Sequence, residues 1–196
     1  SSASLDGAGR PFVGVVSRLD QPVSGVVVFA KTRTSAASLS EQFKARSVEK
    51  TYIALVEGRF PGRVGEWMTW NDQMAELPRS TRARAADVLE QDGDPREAST
   101  TLRLLQRSGE VSLVELRPAT GRKHQLRRQL AQRRCPIVGD RRYGARIPLV
   151  DDAIALHAKR LILRHPADGR AVDLRARPPS TWLNRFPSIR IPSGVE

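Results

Sequence analysis

The chain is poor in cysteine, in long apolar runs and in acid. A single cysteine, Cys135, excludes an internal disulfide and a cysteine-based zinc site, and makes a reducing, cytoplasmic location the default. No apolar stretch approaches the ~20 residues that cross a bilayer; the longest, Gly25–Ala30 and Tyr52–Val56, are strand-sized. Ser1–Arg10 is small and polar and reads as no signal peptide. The three histidines, His124, His157 and His165, are widely spaced and carry no metal-ligand signature. There is no G-x-G-x-x-G and no Walker loop, so neither a nucleotide cofactor nor a metal is expected.

What is present is basic. Against 21 acids stand 33 basic residues, giving a net charge of +12 and a pI near 11.2. Only five of the basic residues are lysine. Arginine is the side chain that grips phosphate with two hydrogen bonds and stacks on bases. The balance points to a polyanionic partner, nucleic acid first; a GC-rich genome that codes arginine freely is the plainer account of the count. The 196 residues suit one domain with a core, or one with a small appendage.

Pattern along the chain predicts short elements of both kinds. Gly25–Lys31 and Glu49–Gly58 read as buried strands. Thr34–Arg46 reads as a helix capped by Thr34 or Ser35, with Ala36, Leu39, Ser40 and Phe43 on one stripe. Trp67–Pro95 looks polar and irregular, with a turn over Asp92–Pro95. Ser99–Leu105 and Glu110–Arg117 look like a hairpin. Thr120–Arg134 reads as a helix, and Ala155–His165 and Val172–Ala176 as strands. Ser180–Phe186 reads as a terminal helix capped by Ser180, followed by a tail over Pro187–Glu196. Irregular alternation favours an α+β fold with a mixed, mostly antiparallel sheet.

Four features carry chemistry, each with a plain alternative. Asp20 lies in a proline-containing turn, Arg18–Pro22, just before a strand; it either faces a cleft or merely bonds its own turn. At 100° per residue, Arg127 shares a face with Leu126, Leu130 and Ala131, while Arg128 and Gln132 lie opposite. An arginine on a buried face needs an anionic partner unless its head reaches water at the helix edge. Tyr52 lies in a strand apolar on both faces, where it packs as core or stacks on a flat ligand such as a nucleobase. Arg122, Lys123, Arg127, Arg128, Arg133, Arg134, Arg141 and Arg142 cluster against one acid, Asp140: a phosphate-binding surface or a solvated face. His124, near a helix start, reads as a positioning or structural residue.

Together these segments resemble the RluA-type pseudouridine synthases. Ser17-Arg18-Leu19-Asp20-Gln21-Pro22-Val23-Ser24-Gly25 is similar to the family's H-R-L-D-x-x-T-S-G loop. Lys50–Gly58 resembles its tyrosine strand, and Thr120-Gly121-Arg122-Lys123-His124-Gln125-Leu126-Arg127 its T-G-R-x-H-Q-[IL]-R motif. Cys135–Gly144 and Leu156-His157-Ala158 with His165-Pro166 match two later signatures, in order. The resemblance departs at Ser17, where the family usually has histidine, and at Arg128-Gln129, usually Val-His. It also implies a strand ahead of the catalytic loop; that strand and a separate S4-type domain are expected to be absent.

The resemblance implies one catalytic domain over 1–196, with an RNA cleft across its sheet. It implies isomerisation of uridine in RNA, ribosomal first and transfer RNA next, by a monomer without cofactor. Asp20 is the implied nucleophile, Arg127 its salt-bridge partner, and Tyr52 the ring that stacks on uracil. Arg18 is implied to enter the RNA where the base flips out, with Arg122, Lys123, His124 and Arg128 as further RNA-binding candidates. The rival expectation, from Ser17 and the missing strand, is an RNA- or ribosome-binding protein of the same fold with weak or no catalysis.

Overall fold

Nine strands and three helices are built from residues 11–75 and 95–192, which the computed structural model describes. The longest strands lie side by side. β4 (Glu49–Glu57) is flanked by β7 (Val111–Pro118) and β8 (Leu156–Arg164), antiparallel to both. β6 (Arg96–Ser108) pairs with β7 on one side and with β5 (Trp67–Met74) on the other. On the far edge of β8, β2 (Ser24–Gly25) runs parallel at its start and β9 (Ala171–Arg175) antiparallel further along. The sheet thus reads β2-β8-β4-β7-β6-β5, with β9 beside β8. β1 (Gly14–Val15) and β3 (Phe29–Ala30) form a small separate ribbon. The expected α+β class with a mixed, mainly antiparallel sheet is what forms.

The main core is centred on β4 and β7. Ile53, Ala54, Leu55 and Val56 are wholly buried, as are Leu102, Leu104, Leu113 and Val114. Helix α2 (Gln125–Gln132) lays Leu126 and Leu130 on this core, and α3 (Ser180–Arg185) adds Trp182. A smaller core forms where α1 (Arg33–Lys44) packs Leu39 and Phe43 against Leu161 and Leu163.

Several expectations need correction. The run Gly25–Lys31 is no continuous strand: only its ends pair, and Val27 and Phe29 face outward. Helix α1 is capped by Thr32, whose extended backbone lets its hydroxyl accept from Ser35 N–H at 3.1 Å, and Ser40 lies exposed. Trp67–Met74 is a regular strand. Its alternation is hidden because Asp72 takes an inward position beside Trp70 and Met74, where Arg133 and Gln129 bond it. The expected Asp92–Pro95 turn lies, but for Pro95, outside the described residues. Helix α2 begins at Gln125, because Thr120–His124 forms a side-chain-bonded loop on β6. At α3 the cap position is Pro179, with no side-chain bond from Ser180. The described part of the expected tail packs down: Ile189 is wholly buried and Gln106 bonds both Ser188 O and Arg190 N.

Candidate active site

Asp20 opens a turn closed by Val23 N–H on its carbonyl at 2.9 Å. The following residues are tied to the far side of the sheet. Ile154 N–H donates to Pro22 O, Ser24 Oγ lies 2.8 Å from His157 Nδ1, and Val26 N–H donates to Ala158 O. Gly25 has φ +127°, and a Cβ there would fall 2.3 Å from Ala158 O. Only glycine fits this close approach. Ser17 accepts from Val28 N–H at 2.9 Å and so joins the two limbs of the loop.

Arg127 projects from the buried face of α2 and is 6% exposed. The anionic partner its position demanded is double. Nε and Nη2 grip Asp140 at 2.7 and 2.9 Å, and Nη1 reaches Asp20 Oδ2 at 3.3 Å. Burial alone pulls the Arg127 pKa down, but the hydrogen bonds and charge of Asp140 outweigh it and hold it above the usual value. Its guanidinium also covers the Tyr143 ring, 4.9 Å from the centroid.

Tyr52 comes from the middle of β4, beside a register shift that separates it from Thr51. Burial, then the charge of Asp20, pushes its hydroxyl up to about 12, so it stays protonated at neutral pH. His124 sits at the entry to α2 with φ +53°, an uncommon backbone for a non-glycine residue. Its Nε2 is 3.6 Å from Asp20 Oδ2 and its Nδ1 2.8 Å from the Tyr143 hydroxyl. Burial lowers its pKa to about 4 against the opposing pull of Asp20, so the ring is neutral.

Asp20, Tyr52, His124 and Arg127 line one cavity of about 470 Å³, and Arg18, Arg122 and Lys123 lie on the same cavity. Arg18 and Lys123 are exposed; Arg122 is half-buried and donates to Glu97 O. Arg128 departs from expectation. The face opposite the apolar stripe is not free here: Arg128 is 1% exposed and donates Nη1–H to Ala75 O. Its Nε and Nη2 are buried without partners. As placed, it offers no surface to a phosphate. Sequence reasoning gave no role to Asp140 and Tyr143, although both stand in the Cys135–Gly144 motif. It also passed over Lys50 and Arg160 on the cavity wall. Among the described residues no cluster of His, Cys, Asp or Glu could hold a metal, and no helix is long and apolar enough to cross a membrane.

The family model described as RNA pseudouridylate synthase matches residues 2–132. The chain belongs to this family. The match spans Asp20, Tyr52 and Arg127. A ribosomal large subunit pseudouridine synthase D from Xanthomonas campestris is 35% identical over 93% of the chain, which spans 56% of that relative's length. A tRNA pseudouridine synthase C from Salmonella typhi is 33% identical, with 85% of the chain and 68% of the relative covered. The solved human RNA pseudouridylate synthase domain containing 4 superposes with a TM-score of 0.69 at 25% identity, covering 89% of the chain and 76% of that structure. The fold is thus shared with a human RNA pseudouridylate synthase domain, and the sequence is similar to relatives named for both ribosomal and transfer RNA.

Proposed function

We propose that this chain isomerises uridine to pseudouridine in structured RNA, with ribosomal RNA the first candidate substrate and transfer RNA the second. The observation that carries the reading is the Asp20–Arg127 contact at 3.3 Å in a cavity that also holds Tyr52. A carboxylate against a fixed guanidinium is kept anionic and aimed, as a nucleophile needs. Asp20 attacks ribose C1′. The new O–C1′ bond replaces C1′–N1, whose electron pair leaves on the uracil. The base turns, C5 bonds C1′ as the ester bond breaks, and the C5 proton is lost while N1 gains one. Atoms and electrons balance without a cofactor.

Tyr52 enters this cycle as a phenol whose ring offers a flat surface for the uracil. Attack by Asp20 consumes the carboxylate charge, which removes one of the two causes that hold the Tyr52 proton in place. The phenol then gives its proton more readily to N1 of the uracil anion, and the resulting phenolate takes the C5 proton. Arg18 and Lys123, exposed at the cavity, suit the phosphates that flank a flipped nucleotide. Their contacts help offset the few kcal/mol that flipping costs. The intact Asp20, Tyr52 and Arg127 set favours catalysis over mere RNA binding. We infer a monomer acting in the cytoplasm.

The test is tritium release from RNA labelled at uridine C5, taken from cells lacking the gene. Wild-type protein releases tritium and Asp20→Asn, still folded, does not. Equal release by both sinks the assignment. Pseudouridine mapping in the deletion strain then names the uridine.

A further inference from the structure

Among the described residues two side-chain nitrogens approach Asp20, and both converge on one oxygen. Arg127 Nη1 stands 3.3 Å and His124 Nε2 3.6 Å from Oδ2. Among the described residues no side-chain donor reaches Oδ1. His124 supports the carboxylate only if Nε2 carries the ring proton. In the other tautomer a nitrogen lone pair faces a carboxylate, which is repulsive.

Tyr143 selects between the two. Its hydroxyl lies 2.8 Å from His124 Nδ1. Burial pushes the Tyr143 pKa up despite the arginines around it, so the hydroxyl keeps its proton. Among the described residues His124 is its hydrogen-bond partner. A hydroxyl that donates to Nδ1, its one partner among the described residues, leaves the single proton of the neutral imidazole on Nε2. Burial, with Arg127, Arg142 and Lys123 nearby, keeps the imidazole neutral.

One short segment carries both supports. Asp140 grips Arg127, and three residues later Tyr143 bonds His124. Gly139 sets the segment at φ +85°, where a Cβ would fall 2.3 Å from Ala153 O. Ala145 N–H then closes back on Asp140 O at 3.1 Å.

We propose that Asp140 and Tyr143 are positioning residues that act through Arg127 and His124 to hold Asp20 by Oδ2, with His124 as its Nε2–H tautomer, so that Oδ1 is the oxygen presented to the substrate. The inference rests on Asp20 being the nucleophile of the reaction proposed above.

Two readouts test it. In ¹⁵N-histidine NMR spectra of the full chain, wild-type His124 shows a protonated Nε2 and an acceptor Nδ1, and Tyr143→Phe shows a mixture of tautomers. In tritium-release kinetics, Tyr143→Phe lowers kcat about tenfold with KM for the RNA within about twofold, as expected for a lost support acting in the chemical step. His124→Gln, whose side-chain amide can still donate to Oδ2, stays within about threefold of wild type, whereas His124→Met falls with Tyr143→Phe. Thermal melts confirm that each variant is folded. An Nδ1–H tautomer in the wild type, or wild-type kcat in Tyr143→Phe, overturns the proposal. An Nε2–H tautomer with no tritium release by any form, wild type included, supports the tautomer and overturns the uridine reading instead.

Discussion

Tyr52 and Arg127 stand on the densely packed half of the molecule, and Asp20 on the thin half. β4 and α2 bury their neighbours completely: Ile53, Ala54 and Leu130 have no exposed surface. The segment around Asp20 has three strands of two residues each, and Val13, Val15 and Phe29 beside it are more than half exposed. The dense half fixes its side chains by packing. The thin half is placed by a few ties to β8 and its approaches, from Pro22, Ser24, Gly25 and Val26. The site is therefore a junction, and its accuracy depends on a handful of bonds rather than on apolar area.

The sharpest way to break this contrast is Gly25→Ala. The new Cβ meets backbone, which cannot give way cheaply, at a φ that side chains rarely adopt. We expect a loss of about 2–4 kcal/mol in urea melts and about a hundredfold in tritium release, from displacement of the Asp20 loop. On the dense side, Asp140→Asn leaves the buried Arg127 without its two-point carboxylate partner. It costs about 3 kcal/mol by the same melts, and at least about tenfold in kcat. If Gly25→Ala proves milder than Asp140→Asn in kcat, the thin half is not the sensitive one.

Arg127 and Arg128 sharpen the comparison within a single helix. One buried guanidinium has two carboxylates; its neighbour has one carbonyl and two unpartnered nitrogens. Arg128→Met is therefore expected to raise stability by about 1 kcal/mol, with RNA affinity unchanged in filter binding. A further effect is in pH. Burial holds His124 at about 4 and His157 below its usual value, so both are neutral when folded. The unfolded chain takes up their protons near pH 6.5. Stability from this source is full above that pH and declines as pH falls toward about 4. The Tm of the wild type should drop by a few degrees across that window, and that of His124→Gln by less.

The long strands and the amphipathic helices could be read from sequence because periodicity reports which face is buried. So could the need of Arg127 for an anion, since a buried charge implies its counterpart. What escaped was set by polar residues facing inward. Asp72 concealed β5, and the bonds among Ser99, Thr120 and Gln125 delayed the start of α2. Arg128 looked solvated because a helical wheel cannot show that the chain at Ala75 covers that face. Pairing Asp20 with Arg127 needed motif order, because 107 residues separate them. The second carboxylate, Asp140, lay in plain view within a motif, but nothing local says that one arginine will hold two acids.

The pairing of Ser24 and Gly25 with β8 also has a consequence in time. Ser24 and His157 are 133 residues apart, and so distant a contact forms slowly, after local turns and hairpins. The wall against which Asp20 leans emerges late in synthesis, so a nascent chain displays its arginines well before this carboxylate is set.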